Sequence, residues 1–275
     1  MKQQVFIVPA DASPQAQARC RRLSEELSLP LGEGQHDCPA PILTVGSELR
    51  VEFPRTSGQK KADQLAAEWS RLDVSSRAGA ARRQPLFRAI RGKTRTAGLP
   101  CVLDGTAGLG EDAWLLSSLG HSVLAVEQHP AVFALFRDAW ARTGVFSPWR
   151  TRRIRPIWAE TGGLLRSMAG STSLEHSVSG SLESVPRPDV IYLDPMFPGH
   201  GQRKTAERKP LRLLRQLVGD DRGEDPELLG LALEVARDRV VVKRPLKAPC
   251  YASRKWAPGH QVPGRSVRFD VYFPH

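Results

Sequence analysis

Cysteine is scarce in this sequence, and long apolar runs are absent from it. The four cysteines are scattered along 275 residues and form no Cys-x-x-Cys pair. This pattern excludes a disulfide scaffold and a zinc ribbon, so we expect a protein of the reducing cytoplasm without a metal site. No run approaches the ~18 apolar residues that a membrane span requires. Residues 1–9 hold no apolar stretch long enough for a signal peptide, so we expect no membrane association.

Acidic residues are outnumbered by basic ones. The chain has 29 Asp and Glu and 40 Lys and Arg, which gives a net charge of +11. Residues 74–103 and 142–155 contain no acid, and further basic groups lie at 203–209 and 243–247. A single basic run is usually a solvated face, but four in one chain favour a polyanionic partner. Because Lys and Arg contacts to phosphates supply most nonspecific affinity for nucleic acid, nucleic acid is the leading partner class.

Hydrophobic residues make up 40% of the sequence, which is enough for a folded core. Their spacing predicts three successive segments: a small mixed α/β region at 1–75, a basic linker with a short helix at 76–98, and a main domain at 99–275. In the first segment we expect strands and helices at 5–8 (strand), 15–27 (helix), 42–45 and 49–53 (hairpin), and 60–72 (helix). In the linker we expect a short helix at 86–90.

The main domain alternates predicted strands with predicted helices, which is typical of a mainly parallel, doubly wound sheet. The predicted strands lie at 101–104, 122–126, 154–159, 189–193, 240–242 and 266–273. The predicted helices lie at 111–119, 130–142 and 227–237. A serine-rich stretch at 170–184 is predicted to be a flexible loop.

A glycine-rich turn at 104–110, Asp-Gly-Thr-Ala-Gly-Leu-Gly, joins the first of these strands to a helix. A Walker A loop needs a lysine after its last glycine, whereas Glu111 and Asp112 follow in this sequence. Ala107 takes the place of the second glycine in a dinucleotide fingerprint. S-adenosylmethionine carries sulfonium and ammonium cations, which a loop bounded by Asp104 and Glu111-Asp112 complements. Acids in a first helical turn also favour the helix dipole, so that simpler explanation stays open for Glu111 and Asp112.

Polar residues follow the next two predicted strands. Glu127 comes 23 residues after Asp104, and an acid about 20 residues past the glycine loop binds ribose hydroxyls in nucleoside-binding sheets. Gln128 is placed to line the adenine or ribose side. Glu160 and Thr161 follow the third strand, at the edge where an adenine ring is expected.

The run Asp-Val-Ile-Tyr-Leu-Asp-Pro-Met-Phe-Pro at 189–198 delivers Asp-Pro-x-Phe to the carboxyl edge of the sheet. An exocyclic base amine is a poor nucleophile, because its lone pair is delocalised into the ring. Asp194 and the carbonyl of Pro195 are placed to accept its N–H groups and localise the lone pair, while Phe197 stacks on the base. A proline turn followed by a core phenylalanine is the simpler alternative.

These motifs resemble those of the small-subunit rRNA (guanine-N2) methyltransferase J family over about residues 77–273. The resemblance rests on the two runs above and on Val-Val-Val-Lys-Arg-Pro at 240–245. It implies a class I, Rossmann-like sheet, S-adenosylmethionine as cofactor, and the exocyclic N2 of one guanosine of 16S rRNA as methyl acceptor. The cofactor contacts that motifs and resemblance together indicate are Asp104, Gly108, Gly110, Glu111, Asp112, Glu127, Gln128, Glu160, Thr161 and Asp194.

We therefore predict an α/β rRNA methyltransferase in which Asp194, Pro195 and Phe197 hold the target base. Its partner is expected to be 16S rRNA or the small ribosomal subunit. RNA phosphate contacts are predicted for Arg82, Arg83, Arg203, Lys204, Lys243 and Arg244. Two alternatives stay open: a DNA or other amino-methyltransferase with the same cofactor, and a noncatalytic RNA-binding assembly factor.

Overall fold

The computed structural model describes most of the chain. The described residues are 3–32, 39–72, 84–92, 98–170, 186–196, 209–219, 225–252 and 255–274. They form two compact units, each assembled from segments that are discontinuous along the chain. The first unit takes its described residues from 1–68, 129–142 and 209–219, and the second takes the remainder. The boundaries expected at 75 and 98 stay a prediction.

The described residues form the following strands and helices, numbered in chain order. The strands are β1 (Phe6–Pro9), β2 (Ile42–Val45), β3 (Leu49–Glu52), β4 (Gln64–Leu65), β5 (Val102–Asp104), β6 (Val123–Glu127), β7 (Ile154–Trp158), β8 (Val190–Leu193), β9 (Arg239–Pro245), β10 (His260–Pro263) and β11 (Val267–Tyr272). The helices are α1 (Pro14–Leu27), α2 (Pro85–Arg91), α3 (Glu111–Ser118), α4 (Pro130–Phe146), α5 (Pro148–Thr151), α6 (Thr161–Met168), α7 (Lys209–Val218) and α8 (Pro226–Val235). A 3-10 turn covers Trp69–Arg71.

The first unit is built on a sheet in the order β1-β2-β3-β4, in which only the β1/β2 pair is parallel. Ser13 caps α1 by accepting a hydrogen bond from the Ala16 N–H. A buried carboxylate ties this unit together: Asp138 of α4 accepts hydrogen bonds from Arg19 at 2.7 Å and from Arg142 at 2.7 Å. The Leu49 amide donates to the same carboxylate at 3.2 Å. These three donors provide hydrogen bonds to the charged carboxylate of Asp138, whose side chain is only 3% exposed.

The second unit is built on a seven-stranded sheet in the order β10-β11-β9-β8-β5-β6-β7. The strands from β9 to β7 are parallel, and β10 and β11 are antiparallel to their neighbours. Strands β5 and β8 are buried throughout, as central strands of a parallel sheet should be. Helices α6 and α8 pack apolar side chains on the sheet, forming one continuous core with Leu103, Ile191 and Val240. The expected α/β, Rossmann-like sheet with a small mixed N-terminal region is thus confirmed.

Most predicted elements are confirmed, but the helix predicted at 60–72 is wrong. Gln64 and Leu65 instead pair with Glu52 and Val51 of β3, and the Phe53 amide donates to the Asp63 carbonyl at 2.9 Å. Edge pairing to an existing hairpin therefore overrides a helical apolar spacing. The sequence also missed α5, α6, α7 and β10. The serine-rich loop predicted at 170–184 lies outside the described residues, apart from Gly170.

In the part of the chain that the structure describes, no helix is long and apolar enough to cross a membrane. Within those same residues, no group of three or more His, Cys, Asp or Glu side chains is arranged to hold a metal ion.

Candidate active site

The site lies where the strand order of the second unit reverses. The chain runs from β5 to β6 on one side, and β8 returns to pair with the other side of β5. Open α/β sheets form a crevice at the carboxyl ends of strands at such a point. Asp104 ends β5, Glu127 ends β6, Glu160 follows β7 and Asp194 follows β8. The predicted acids are therefore all brought to one edge of the sheet.

The glycine turn is held by backbone hydrogen bonds to neighbouring strands. The Ala107 amide donates to the Val126 carbonyl at 2.9 Å, and the Gly108 amide donates to the Glu127 carboxylate at 3.0 Å. Gly108 and Gly110 have φ angles of 54° and 80°, a left-handed region that favours glycine. The turn thus needs its glycines for its conformation, and Glu127 is fixed against it.

Two threonines connect this turn to the loops beside it. The Thr161 hydroxyl donates to the Gly105 carbonyl at 2.5 Å, and the Asp194 amide donates to the Thr106 hydroxyl at 2.6 Å. A Cβ on Gly105 would lie 2.8 Å from side-chain carbons of both Leu193 and Thr161. The ends of β5, β7 and β8 are therefore locked together, which places Asp194 directly beside the glycine turn.

A lysine lies between two of the acids. The Lys243 ammonium of β9 is 2.8 Å from the Asp194 carboxylate and 3.1 Å from the Asp112 carboxylate. The Tyr192 hydroxyl donates to the same Asp112 oxygen at 2.6 Å. These charged side chains remain partly open, with 25% of Lys243, 28% of Asp112 and 38% of Asp194 exposed. Lys243 was predicted to contact an RNA phosphate. In the structure its ammonium pairs instead with two residues that are expected to contact the cofactor.

Sequence reasoning missed the roles of Lys243 and Tyr192, although the strand register contains the signal. Leu193 of β8 pairs with Val242 of β9. Asp194 and Lys243 are therefore the next residues on two adjacent parallel strands. Pairing Leu193-Asp194 at the end of β8 with Val242-Lys243 inside β9 would have brought these opposite charges together.

Burial sets the protonation chemistry of this cluster. Burial raises the pKa of Asp104 well above its ordinary value, and the nearby Asp112 carboxylate raises it further. The same two causes raise the pKa of the Tyr192 hydroxyl, which therefore stays a proton donor. Desolvation opposes the charged form of Lys243, but the carboxylates of Asp194 and Asp112 outweigh it and raise the pKa of this ammonium above its usual range.

The other predicted cofactor residues are more open. Glu111, in the first turn of α3, is exposed, and so is Gln128, whose carbonyl accepts a hydrogen bond from the Trp158 ring N–H at 3.3 Å. Glu160 caps α6: its carboxylate accepts hydrogen bonds from the amides of Gly162 and Gly163. The capping explains why an acid stands there, and its cofactor role stays a prediction.

One predicted RNA contact is contradicted. Arg244 is only 1% exposed. Its guanidinium donates to the Pro249 carbonyl at 3.0 and 3.1 Å and lies over the Tyr251 ring. Adjacent residues of a strand point to opposite faces, so Arg244 is directed into the protein while Lys243 reaches the site. Pro195 is half-buried beside Asp194. The predicted residues Phe197, Arg82, Arg83, Arg203 and Lys204 lie outside the described part of the chain.

The residues of this edge fit a small cationic cofactor. Asp104, Asp112, Glu127 and Asp194 lie at this edge, and the Lys243 ammonium pairs with only two of them, Asp112 and Asp194, so carboxylates are in excess. The turn at Gly108 and Gly110 lets a ligand approach the backbone closely. Excess carboxylates complement the sulfonium and ammonium groups of S-adenosylmethionine and disfavour a pyrophosphate.

Comparison with known proteins agrees with this arrangement. A family model described as "Putative SAM-dependent methyltransferase" matches residues 39–274. A SAM-dependent methyltransferase of known structure from Neisseria gonorrhoeae is 25% identical, with a TM-score of 0.66 over 98% of this chain and 96% of that one. Fold, site and family model together define an S-adenosylmethionine-dependent methyltransferase.

Curated relatives narrow this class. The ribosomal RNA small subunit methyltransferase J of Thioalkalivibrio sulfidiphilus is 36% identical over 270 residues, covering 95% of each chain. The protein of that name from Chromobacterium violaceum is 36% identical over 267 residues, covering 95% of this chain and 94% of its own. The chain belongs to the ribosomal RNA small subunit methyltransferase J family.

Proposed function

We propose that this enzyme transfers a methyl group from S-adenosylmethionine to the exocyclic N2 of a guanosine in 16S rRNA. The observation that carries the proposal is the position of Asp194. It follows β8 at the switch point, its amide is 2.6 Å from the Thr106 hydroxyl of the glycine turn, and its carboxylate faces the acidic cluster. This position beside the glycine turn supports a role for the Asp194 carboxylate in accepting hydrogen bonds from the exocyclic amine.

Each residue has a part in holding the reactants. When bound, S-adenosylmethionine supplies a methyl carbon on a positively charged sulfur, which accepts the amine lone pair and leaves the sulfur neutral. Glu127 and the glycine turn would hold its ribose side, and Asp104 and Asp112 would face its cations. Asp194 and the Pro195 carbonyl would accept the amine N–H groups, which localises the lone pair on nitrogen and aims it at the methyl carbon.

Lys243 favours the ionised form of the Asp194 carboxyl, which would accept the hydrogen bonds of the amine. Partial burial raises the pKa of the Asp194 carboxyl, and the Lys243 ammonium at 2.8 Å opposes that rise. The ammonium therefore favours the ionised carboxylate, which accepts hydrogen bonds. Once the amine nitrogen has bonded to the methyl carbon, its surplus proton can leave through the Asp194 Oδ atoms to solvent.

The RNA side of the proposal rests on charge and on family membership. The net charge of +11 suits a polyanion, and Arg82, Arg83, Arg203 and Lys204 are proposed phosphate contacts. Phe197, three residues after Asp194, is proposed to stack on the target base. A 16S rRNA or small-subunit substrate would place the reaction in the cytoplasm.

The test is transfer of labelled methyl groups by an Asp194→Asn variant. We expect a loss of at least 100-fold in kcat, because Asn keeps the size of the side chain but not its charge. The dissociation constant for S-adenosylmethionine, measured by calorimetry, should change only a few-fold. Asp238→Asn is the matched control, since Asp238 precedes β9 at the opposite edge of the sheet and should leave transfer unchanged.

The substrate is identified by the same assay. Wild-type enzyme is given 16S rRNA from a strain lacking it, naked DNA, and free nucleosides, and the product is mapped by mass spectrometry. N2-methylguanosine at one rRNA position supports the proposal. Methylation of DNA instead, or full activity of Asp194→Asn, contradicts it.

A further inference from the structure

A patch of exposed apolar and basic side chains lies outside the site. We call it the Trp149 surface; it consists of Val145, Phe146, Trp149, Arg150, Arg152 and Arg153. Val145, Phe146 and Trp149 are 76%, 86% and 53% exposed. Three large apolar side chains this open within five positions are unusual in a soluble protein and mark an interaction surface.

The charge around this surface has one sign. Residues 143–159 include four arginines and no acidic residue. Arg152 and Arg153 are exposed, and Arg153 is held in place by a hydrogen bond to the Gly120 carbonyl at 2.9 Å. An apolar centre with an unmixed basic rim complements a polyanion that also offers flat apolar faces.

Trp149 is also held in place by stacking. The Arg150 guanidinium lies 4.6 Å from the centroid of the Trp149 ring and 5.5 Å from that of Trp114. Trp114 in turn stacks on Trp69 at 5.3 Å with an interplanar angle of 19°, and both of these rings are 2% exposed. A cation–π and ring stack therefore runs from the core to the exposed indole, which lowers the entropic cost of using that ring for binding.

We propose that the Trp149 surface docks an unpaired stretch of RNA, with one base stacked on the Trp149 ring and phosphates on Arg152 and Arg153. This inference rests on the proposed function and names a second contact for the same substrate. Unpaired RNA suits the surface because a base inside a duplex has no free face, whereas bases in loops stack readily on aromatic rings.

The location of the surface separates this role from the chemistry. Helix α5 immediately precedes β7, so the surface lies at the amino end of that strand, while Glu127 and Glu160 lie at the carboxyl edge. Strand β7 is five residues long, so the two are separated by at least ~15 Å. The surface should therefore govern affinity for long RNA and leave kcat unchanged.

The first experiment compares Trp149→Leu with Trp149→Phe. Phe keeps an aromatic face and Leu keeps only apolar volume. By fluorescence anisotropy with a 16S rRNA fragment that the wild type methylates, Trp149→Leu should weaken binding roughly 5- to 100-fold, the range for loss of one base–aromatic stack. Trp149→Phe should recover most of the affinity, and kcat at saturating RNA should equal that of the wild type in both variants.

The second experiment tests the basic rim with a double variant, R152A/R153A. Its slope of log affinity against log salt should be about 1.4 smaller in magnitude, since each phosphate contact to a single strand contributes ~0.7. The control is R21A/R22A, which removes the same charge from exposed positions of α1. An equal change in both double variants means that only total charge matters and overturns the proposal.

Two other outcomes also overturn it. One is equal RNA affinity of Trp149→Leu and Trp149→Phe. The other is a Trp149→Leu variant that binds free RNA normally and fails only on assembled small subunits, which would indicate a protein partner. Either result leaves the proposed function standing, provided that the wild type still forms N2-methylguanosine. If the wild type methylates no rRNA, the proposed function itself has failed.

Discussion

At the scale of a single residue, the buried Asp104 lowers the stability of the folded protein when its carboxyl is ionised. Asp104 is the last residue of β5 and is only 1% exposed. Its carboxylate accepts a hydrogen bond from the Thr106 amide at 3.1 Å. Asp112 and Asp194 bring two more negative charges near it. An ionised carboxylate in such a place is unfavourable for folding, which supports the proposed role of Asp104 in binding the cofactor.

Asp104→Asn should stabilise the protein at neutral pH. The folded-state pKa of Asp104 is raised above the ordinary 3.8, so between these values the folded state holds a proton that the unfolded state has lost. Stability of the wild type therefore falls as pH rises through that window. Asn cannot ionise and still accepts from Thr106, so its Tm should exceed that of the wild type at pH 8. The advantage should vanish near pH 4.

Thermal melts from pH 4 to 8, without cofactor, check this prediction. The same variant should bind S-adenosylmethionine more weakly by calorimetry, because a cation loses its counter-charge. A Tm below that of the wild type at every pH would show that Asp104 is a structural residue.

A second prediction for a single residue concerns Lys243. Lys243→Met removes the ammonium between Asp194 and Asp112, so both carboxylates lose their cationic partner and Asp194 is less readily ionised. We expect the methyl transfer rate to fall at least 10-fold, with its pH profile shifted to higher pH, and RNA affinity to change less than twofold. Lys247→Met, an exposed lysine just beyond β9, is the control. Weaker RNA binding with a normal rate would restore Lys243 as a phosphate contact.

Among the elements, the strands of the large sheet could be predicted because they are short, continuous apolar runs between turn residues. The run at 102–104 before the glycine turn and the run at 190–193 before Asp194 are both of this kind. Helix α6 was missed because it begins Thr-Gly-Gly, and glycine is a poor helix former. Its Glu160 cap, with two amides bound, supplies what those glycines do not.

The caps allow a matched test of two helices. Glu160 caps α6 and Asp225 caps α8, each accepting from two backbone amides. Replacing either by Ala should cost about 1 kcal/mol of unfolding free energy, measured in urea. Thr161, next to Glu160, donates to the glycine turn, whereas the Asp225 amide donates to the Tyr251 hydroxyl, so Glu160→Ala alone should also weaken cofactor binding several-fold. Equal dissociation constants for the two variants would reduce Glu160 to a cap.

The site itself was predictable from sequence only in part. The common position of Asp104, Asp112, Glu127 and Asp194 could be predicted because their motifs are local and the strands beside them end at one edge. The partnership of Lys243 depends on register between strands that are distant in sequence, and the burial of Arg244 depends on which face of β9 is covered. A basic pair in a sequence does not reveal that one member turns inward.

Across the whole molecule, the acidic and basic residues have different proposed roles: the acids bind the cofactor and the basic residues bind RNA. Asp104, Asp112, Glu127 and Asp194 lie at one sheet edge, whereas the chain as a whole has an excess of arginines and lysines that gives the net charge of +11. Contacts to phosphates release counterions, so RNA affinity should respond steeply to salt. Binding of a small cofactor by partly buried groups should depend only weakly on the salt concentration.

Calorimetry and filter binding at 50 and 200 mM salt should show this division. With about six phosphate contacts on single-stranded RNA, affinity should fall roughly 10²- to 10³-fold over this range. The dissociation constant for S-adenosylmethionine should change less than threefold. Flat salt dependence for RNA would mean that the basic residues are a solvated surface without a phosphate partner.

The placement of β11 determines when the large sheet can close during synthesis of the chain. Strand β11 lies between β9 and β10, although it follows both in the chain. Until residues 267–272 have left the ribosome, β9 keeps an open hydrogen-bonding edge along Val240–Pro245, and β10 lacks the strand on which it pairs. That open edge includes Lys243. The nascent chain therefore exposes an unpaired strand edge next to the candidate active site until β11 pairs with β9 and closes that edge.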